Sequence, residues 1–373
     1  MSWSQKPLEE VADFSLGKML DQRKNRGGLM PYLANVNVRW GEFNFENLRE
    51  MRFEPGELDR YGLRYGDIVM CEGGEPGRCA IWKDQVPGMM IQKALHRIRP
   101  HPSLESRFLF YSFLKKGKND ELSGLFTGST IKHLPREKLA KVLIDIPPLP
   151  IQQRISDILS AYDDLIENNR RRIALLEEAE RLLYREWFVY FRFPGHEHVK
   201  IIDGLPEGWQ RSEVECLLEL QYGKALRASD RIEGSIPVYG SSGIVGSHQV
   251  ALVEGPTIIV GRKGNVGSIY WSNENCWPID TVYFVPKERV DFWLYLALPS
   301  AGFQSTDTGV PGLNRNFAYS RKLLRPSKHV RRLFNEVVEP MFAQQTTLEN
   351  YNQKLAQARD LLLPRLMNGE IAV

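Results

Sequence analysis

Trp3–Pro31 reads WSQKPLEEVADFSLGKMLDQRKNRGGLMP, and Trp209–Pro237 reads WQRSEVECLLELQYGKALRASDRIEGSIP. At a shift of 206, Trp3, Glu9, Gly17, Lys18, Leu20, Gly28 and Pro31 fall on Trp209, Glu215, Gly223, Lys224, Leu226, Gly234 and Pro237. Those are seven identities in 29 ungapped positions, where average residue usage gives about two. Gly-Lys-x-Leu and Gly-x-x-Pro suit strand and turn positions. A second match follows at a shift of 190, pairing Ile68-Val69 and Gly74-x-x-Gly77 with Ile258-Ile259 and Gly264-x-x-Gly267. In each copy that stretch lies between short apolar strands, the later being Cys79 to Trp82 and Ser268 to Trp271. Thr127-Gly128 pairs with Thr308-Gly309 at a shift of 181. The order is kept while the shift shrinks, so the chain is a duplication whose second copy has shorter loops.

Each copy ends in a segment with helical spacing. The first follows Ile146-Pro147-Pro148-Leu149-Pro150, a strand stop and helix entry. From there Ile155, Leu159, Tyr162, Ile166, Asn169, Ile173, Leu176 and Leu183 form a four-three apolar seam with Glu180 as its charged member, and the helix is expected to run to about Phe193. The second is expected to start at Ser327 as N-cap and to stop at Asn368-Gly369. Its seam reads Phe334, Val337, Met341, Leu348, Tyr351, Leu355, Ala358 and Leu362, with Gln344 polar. Helices of about 35–40 residues are three times the usual length and about 50–60 Å long. Such seams fit two helices packed lengthwise on each other, with Asn169 and Gln344 either helping to fix register or facing water. The expected fold class is α+β: two similar globular α/β domains in tandem, separated by two long antiparallel helices forming a coiled coil about a pseudo-two-fold axis. The expected boundaries are 1–148 for the first domain, 149–193 for its helix, 194–326 for a linker and second domain, and 327–373 for the last helix.

The 373 residues are 42% hydrophobic and 25% charged, as in a soluble globular protein. No apolar run reaches the ~18–20 residues of a membrane span, the first residues lack a signal-peptide core, and cytoplasm is the expected location. Cys71, Cys79, Cys216 and Cys276 show no metal-ligand spacing and read as reduced thiols. Net charge is only +3, so a grip on phosphates would need basic residues clustered in space or supplied by a partner.

Catalytic motifs are missing. Gly261-Arg262-Lys263-Gly264-Asn265-Val266-Gly267-Ser268 lacks the Gly-Lys-Ser/Thr ending of a phosphate loop, and its counterpart Glu72-Gly73-Gly74-Glu75-Pro76-Gly77 carries two acids. Both read as tight turns between strands. No Asn/Asp-Pro-Pro-aromatic tetrapeptide of the base-methylating kind occurs. His196-Glu197-His198 sits in a linker without further ligands near it in sequence, and reads as a solvated loop.

Leu149-Pro150-Ile151-Gln152-Gln153-Arg154-Ile155, leading into a long helix, resembles the central conserved region of the specificity subunits of type I restriction–modification systems. Pro31-Tyr32-Leu33-Ala34-Asn35-Val36-Asn37-Val38, Leu205-Pro206-Glu207-Gly208-Trp209, Ile236-Pro237-Val238-Tyr239-Gly240-Ser241-Ser242-Gly243 and the Gly261–Gly267 turn resemble segments of their target-recognition domains. The ordered set spans nearly the whole chain. The resemblance implies a non-catalytic subunit that binds a split double-stranded DNA target, one half per domain. Its helices would space the halves and dock methyltransferase subunits, to which restriction subunits are added in systems that cleave. No cofactor is expected on this chain, since AdoMet, ATP and Mg would belong to those partners. Two other readings stay open: a standalone restriction or modification enzyme, and a helical scaffold that does not touch DNA.

Under the DNA-binding reading, two residue classes are needed, one for phosphates and one for base edges. The phosphate candidates are Arg23, Lys24 and Arg26 beside Gly27-Gly28, then Lys132, Arg262 and Lys263, because Gly-rich turns let backbone approach DNA closely. The base-edge candidates are Thr130, His133, Ser241, Ser242, Asn314 and Arg315.

Overall fold

A computed structural model describes residues 3–19, 21, 25–305 and 312–373. The chain divides into two compact units, one of residues 1–169 with 350–373 and the other of residues 170–349. The elements are mixed helix and sheet.

Unit 1 is built around the run Ile68–Cys71, every residue of which is buried. A strand with no polar face must be covered on both sides, and alternation sends its side chains into two cores. Ile68 and Met70 join the core that holds Leu8, Phe108 and Ile144. Val69 and Cys71 join the one that holds Leu33, Trp82 and Ile91. The strand is central in a four-stranded antiparallel sheet ordered Ala12–Leu16, Leu95–Pro100, Ile68–Cys71, Cys79–Ile81. A three-stranded sheet pairs Gly28–Leu33 antiparallel with Arg49–Phe53 and parallel with Met90–Ile91. A ribbon of Ser4–Pro7 and Leu143–Ile146 completes the set.

Unit 2 repeats this topology. Its four-stranded sheet runs Gln221–Tyr222, Val282–Val285, Thr257–Gly261, Ile269–Ser272. Ile236–Gly240 pairs antiparallel with Gly243–His248 and parallel with Trp277–Pro278, and Gln210–Glu213 pairs with Lys322–Arg325. Thr257–Gly261 is buried throughout and again divides its side chains between two cores. The repeated Gly17 and Gly223 share one steric reason: a Cβ on Gly17 would lie 2.5 Å from the Gln92 carbonyl, and one on Gly223 would lie 2.1 Å from the Ile279 oxygen.

The two long helices are Leu149–Phe188 and Lys328–Met367, 40 residues each. Gln152 anchors the first. It is fully buried, accepts from the Glu105 N–H at 2.9 Å, and donates to Pro147 and Ser103 carbonyls at 2.8 and 3.2 Å. Glu105 caps helix Ser106–Lys118 and accepts from the Ser156 hydroxyl. Unit 2 repeats the device: Asp291 caps Phe292–Ala297 and accepts from Arg331 and Asn335 at 2.6 and 2.7 Å. The first helix ends at Phe188 rather than near Phe193. Trp187 and Phe188 turn into the core, and Phe191 takes a left-handed conformation at φ 59°, which ends regular helix. Ser327 does cap the second helix, its hydroxyl accepting from the Val330 N–H at 3.3 Å. Gly369, at φ +69°, follows the helix end.

Within each unit the helices pair antiparallel. In unit 1, Asn169 Nδ2 donates to Asn352 Oδ1 at 3.0 Å, and Asp163 pairs with Arg359. In unit 2, Gln345 Nε2 donates to Glu180 at 2.6 Å, and Trp187 and Phe188 pack on Phe334. Of the expected first seam, Ile155, Leu159 and Ile166 are buried, and Tyr162, Asn169, Ile173 and Leu176 are half-buried. The second helix departs from expectation. Val337, Gln344 and Tyr351 are exposed, while Val338, Gln345 and Asn352 turn inward. Met341, Leu348, Leu355 and Leu362 stay on the seam. The true steps from Phe334 are four then three, not three then four, and they pass through Gln345, Asn352 and Arg359. Partners on the facing helix satisfy these polar members, so polarity does not expel them. Among the described residues, no helix is long and apolar enough to cross a membrane.

Candidate nucleic-acid interface

The Gly-rich turns predicted at a shift of 190 are the same backbone structure made twice. In unit 1, Cys71 N–H donates to Arg78 O at 2.8 Å, Gly77 N–H to Cys71 O at 3.0 Å and Arg78 N–H to Glu75 O at 3.3 Å. In unit 2, Gly261 N–H donates to Ser268 O at 2.7 Å, Gly267 N–H to Gly261 O at 2.9 Å and Ser268 N–H to Asn265 O at 3.4 Å. Each partner is displaced by 190. Gly74 and Gly264 have φ of 82° and 79°, a region in which a side chain is strained.

A second loop crosses each turn. Leu134 N–H donates to Glu72 O at 2.7 Å, and Leu313 N–H to Arg262 O at 2.8 Å. Gly73 bridges His133, and Lys263 bridges Gly312. Two unlike side chains hold these crossings from below. His96 Nε2 meets Leu134 O at 2.9 Å, which makes that nitrogen the donor, while the Tyr283 hydroxyl donates to Leu313 O at 2.9 Å. Burial lowers the pKa of His96, which favours the neutral ring. Burial, then the neighbouring Tyr222 hydroxyl, pushes Tyr283 up to about 12, so it keeps its proton.

The tips of these frames gather most of the predicted residues. In unit 1, Thr127 and His133 exchange backbone hydrogen bonds of 2.8 Å, closing an exposed loop with Thr130 and Lys132 on it. The His133 ring faces Glu72 at 4.0 Å. In unit 2, the Ser241 carbonyl accepts from the Ser268 and Tyr270 hydroxyls at 2.6 and 3.3 Å, and Ser242 is exposed beside it. Arg262 Nη1 donates to Asp280 O at 3.1 Å. Its guanidinium lies 5.0 Å from the Tyr222 ring, and that of Arg315 lies 5.1 Å from the same ring. Lys263 is exposed next to them. Asn314 caps helix Arg315–Ser320, accepting from the N–H groups of Asn316 and Phe317, a structural task that sequence reading did not anticipate.

Other candidates fall elsewhere. Arg26 is exposed, but it precedes strand Gly28–Leu33, whose six residues put it about 20 Å from the turn at the far end. Arg23, Lys24 and Thr308-Gly309 lie outside the described residues. Glu72, Arg136 and Tyr222 were missed. Arg136 opens helix Arg136–Ala140 as Arg315 opens its own, and stacks on Phe14 at 5.1 Å. The 190-residue shift, extended outward from the glycines, already sets Glu72 opposite Arg262. Among the described residues no group of three or more His, Cys, Asp or Glu side chains could hold a metal ion, and His196 is tied to the Phe193 carbonyl at 2.9 Å.

Residues 2–178 match the family model for the type I restriction modification DNA specificity domain. The chain is 22% identical to the type I restriction enzyme MjaIX specificity subunit of Methanocaldococcus jannaschii, an alignment covering 100% of this chain and 94% of that one. It is 20% identical to the HindI specificity subunit of Haemophilus influenzae, covering 98% and 100%. The crystal structure of the type-I restriction-modification S subunit from M. genitalium shares the fold, at TM-score 0.58 and 18% identity over 98% of this chain and 96% of that one. With twin strand frames, a long helix closing each copy, and relatives aligned from end to end, the chain is similar throughout to the specificity subunits of type I restriction–modification systems.

Proposed function

We propose that each unit reads one half of a bipartite double-stranded DNA target, that the long helices set the gap, and that methylation and cleavage reside in partner subunits docked on those helices. The observation that carries this reading is the loop frame made twice with different side chains at its tip. A common backbone with exchangeable side chains is what reading two different half-sites requires. The tips are also basic and aromatic, with Arg262, Lys263, Arg315 and Tyr222 in unit 2 and Lys132, His133 and Arg136 in unit 1. Phosphate and base contacts call for such groups. Each long helix contributes to both units. At 1.5 Å per residue, 40 residues make a rod of about 60 Å, enough to span half-sites about 34 Å apart.

Selection from random-sequence DNA, with the chain assembled with type I methyltransferase subunits, is expected to return two fixed blocks separated by an unread gap. Exchanging residues 1–145 for those of another family member is expected to change one block and leave the other. A single continuous block, or a change in both, would refute the reading. The purified chain alone is expected neither to methylate nor to cleave DNA.

A further inference from the structure

We propose that positions 72 and 262 decide a base in each half-site, Arg262 selecting guanine and Glu72 selecting cytosine. The inference rests on the reading that each unit contacts one half of the target. Backbone hydrogen bonds and the crossing loop put these two residues at one place in the repeated frame, yet their charges are opposite.

In unit 2 the guanidinium of Arg262 is held before DNA arrives. The Asp280 carbonyl fixes one nitrogen, and the rings of Tyr222 and Tyr283 lie 5.0 and 5.8 Å from it. Pre-ordering removes part of the entropy lost on binding. A planar fork of N–H donors matches the O6 and N7 acceptors of guanine, a pattern no other base offers in the major groove. Arg315, exposed at 5.1 Å from Tyr222, adds positive charge on the same side.

In unit 1 the frame carries a carboxylate. The Glu72 side chain is 21% exposed and has His133 at 4.0 Å. A carboxylate only accepts hydrogen bonds. It is repelled by the acceptors of guanine and by O4 of thymine. Adenine offers an amino group beside the N7 lone pair, whereas the N4 amino group of cytosine has only a C–H beside it. Cytosine therefore suits Glu72 best. Both positions select a G·C pair, read from opposite members.

The test is the random-sequence selection repeated with variants of the full chain assembled with methyltransferase subunits. Arg262→Ala is expected to weaken the guanine preference at one position of one block by about 5- to 100-fold. Arg262→Lys, which keeps the charge, is expected to restore overall affinity without restoring that preference. Glu72→Gln is expected to move one position of the other block from cytosine toward adenine, which a glutamine amide matches. Glu72→Arg is expected to turn it to guanine. If a gapped target is selected but these variants lower affinity evenly over all bases, the two residues only contact phosphate or shape the loop, and the inference fails while the proposed function stands. If no gapped target is selected at all, both fall.

Discussion

Replacing Glu180 by glutamine is expected to stabilise the protein above neutrality and to do little in mild acid. Glu180 is 2% exposed in the helix pair of unit 2 and accepts from Gln345. Burial, then the nearby Glu177 carboxylate, raises its pKa from 4.5 to about 7, against the opposing effects of Arg181 and the Gln345 bond. A carboxyl with a raised folded pKa binds more protons in the folded than in the unfolded chain. Stability therefore falls as pH climbs from 4.5 to about 7 and levels off above that window. At about 1.4 kcal/mol per pH unit, the full penalty is about 3 kcal/mol, as an upper bound. Glutamine is neutral at every pH and keeps an acceptor for Gln345. Glu180→Gln should raise Tm by at most about 6–12 °C at pH 8, at 2–4 °C per kcal/mol for a unit of this size. At pH 4.5 or below the gain should be close to zero. Thermal unfolding at pH 4.5, 6 and 8 measures this directly. An equal gain at all three pH values would show that Glu180 does not gain its charge inside that window, and the argument from charge burial would fail.

Three further outcomes are expected. Arg359→Ala strands Asp163, which would keep only the Tyr111 hydroxyl at 2.7 Å; it should lose about 2–4 kcal/mol in urea unfolding, with part recovered by adding Asp163→Asn. Asn169→Leu leaves Asn352 without its partner and should lose about 1–3 kcal/mol, whereas the double change of Asn169 and Asn352 to Leu should recover most of it. Gly234→Ala should lose about 1–3 kcal/mol, because its Cβ would lie 2.5 Å from the His248 oxygen. Its aligned twin Gly28 has nothing within 4 Å, so Gly28→Ala should change stability by less than about 0.5 kcal/mol. Equal losses at the two glycines in chemical denaturation would contradict the steric argument.

The duplication was legible because glycines and apolar strands are local, short-range signals. Gly74 and Gly264 must be glycine for their own backbone, whatever surrounds them. The second helix was harder. Choosing Val337 and Tyr351 over Val338 and Asn352 follows from counting apolar residues, and that count fails where the seam is built from bonded polar pairs. The first helix came out in phase because Glu180 was kept as a seam member despite its charge. At the loop tips the turns could be read, but not their neighbours. Tyr222 meets Arg262 and Arg315 only through folding, from separate strands and a helix start, and nothing in the residues beside Tyr222 announces it. Asn314 was drawn to base reading by its chemistry, although the same chemistry makes it a good N-cap.

The core of unit 1 contains Leu363, Leu366 and Met367, each 1–2% exposed against the segment that includes Phe108, Ile155 and Leu159. Unit 2, by contrast, is one uninterrupted stretch, 170–349. On the ribosome, then, the second half of the chain can complete itself before the first half can. A nascent or prematurely terminated product lacking those last apolar residues would hold one finished unit and one gaping one. Under the proposed function, a chain cut short before Leu363 would be able to read at most one of the two half-sites.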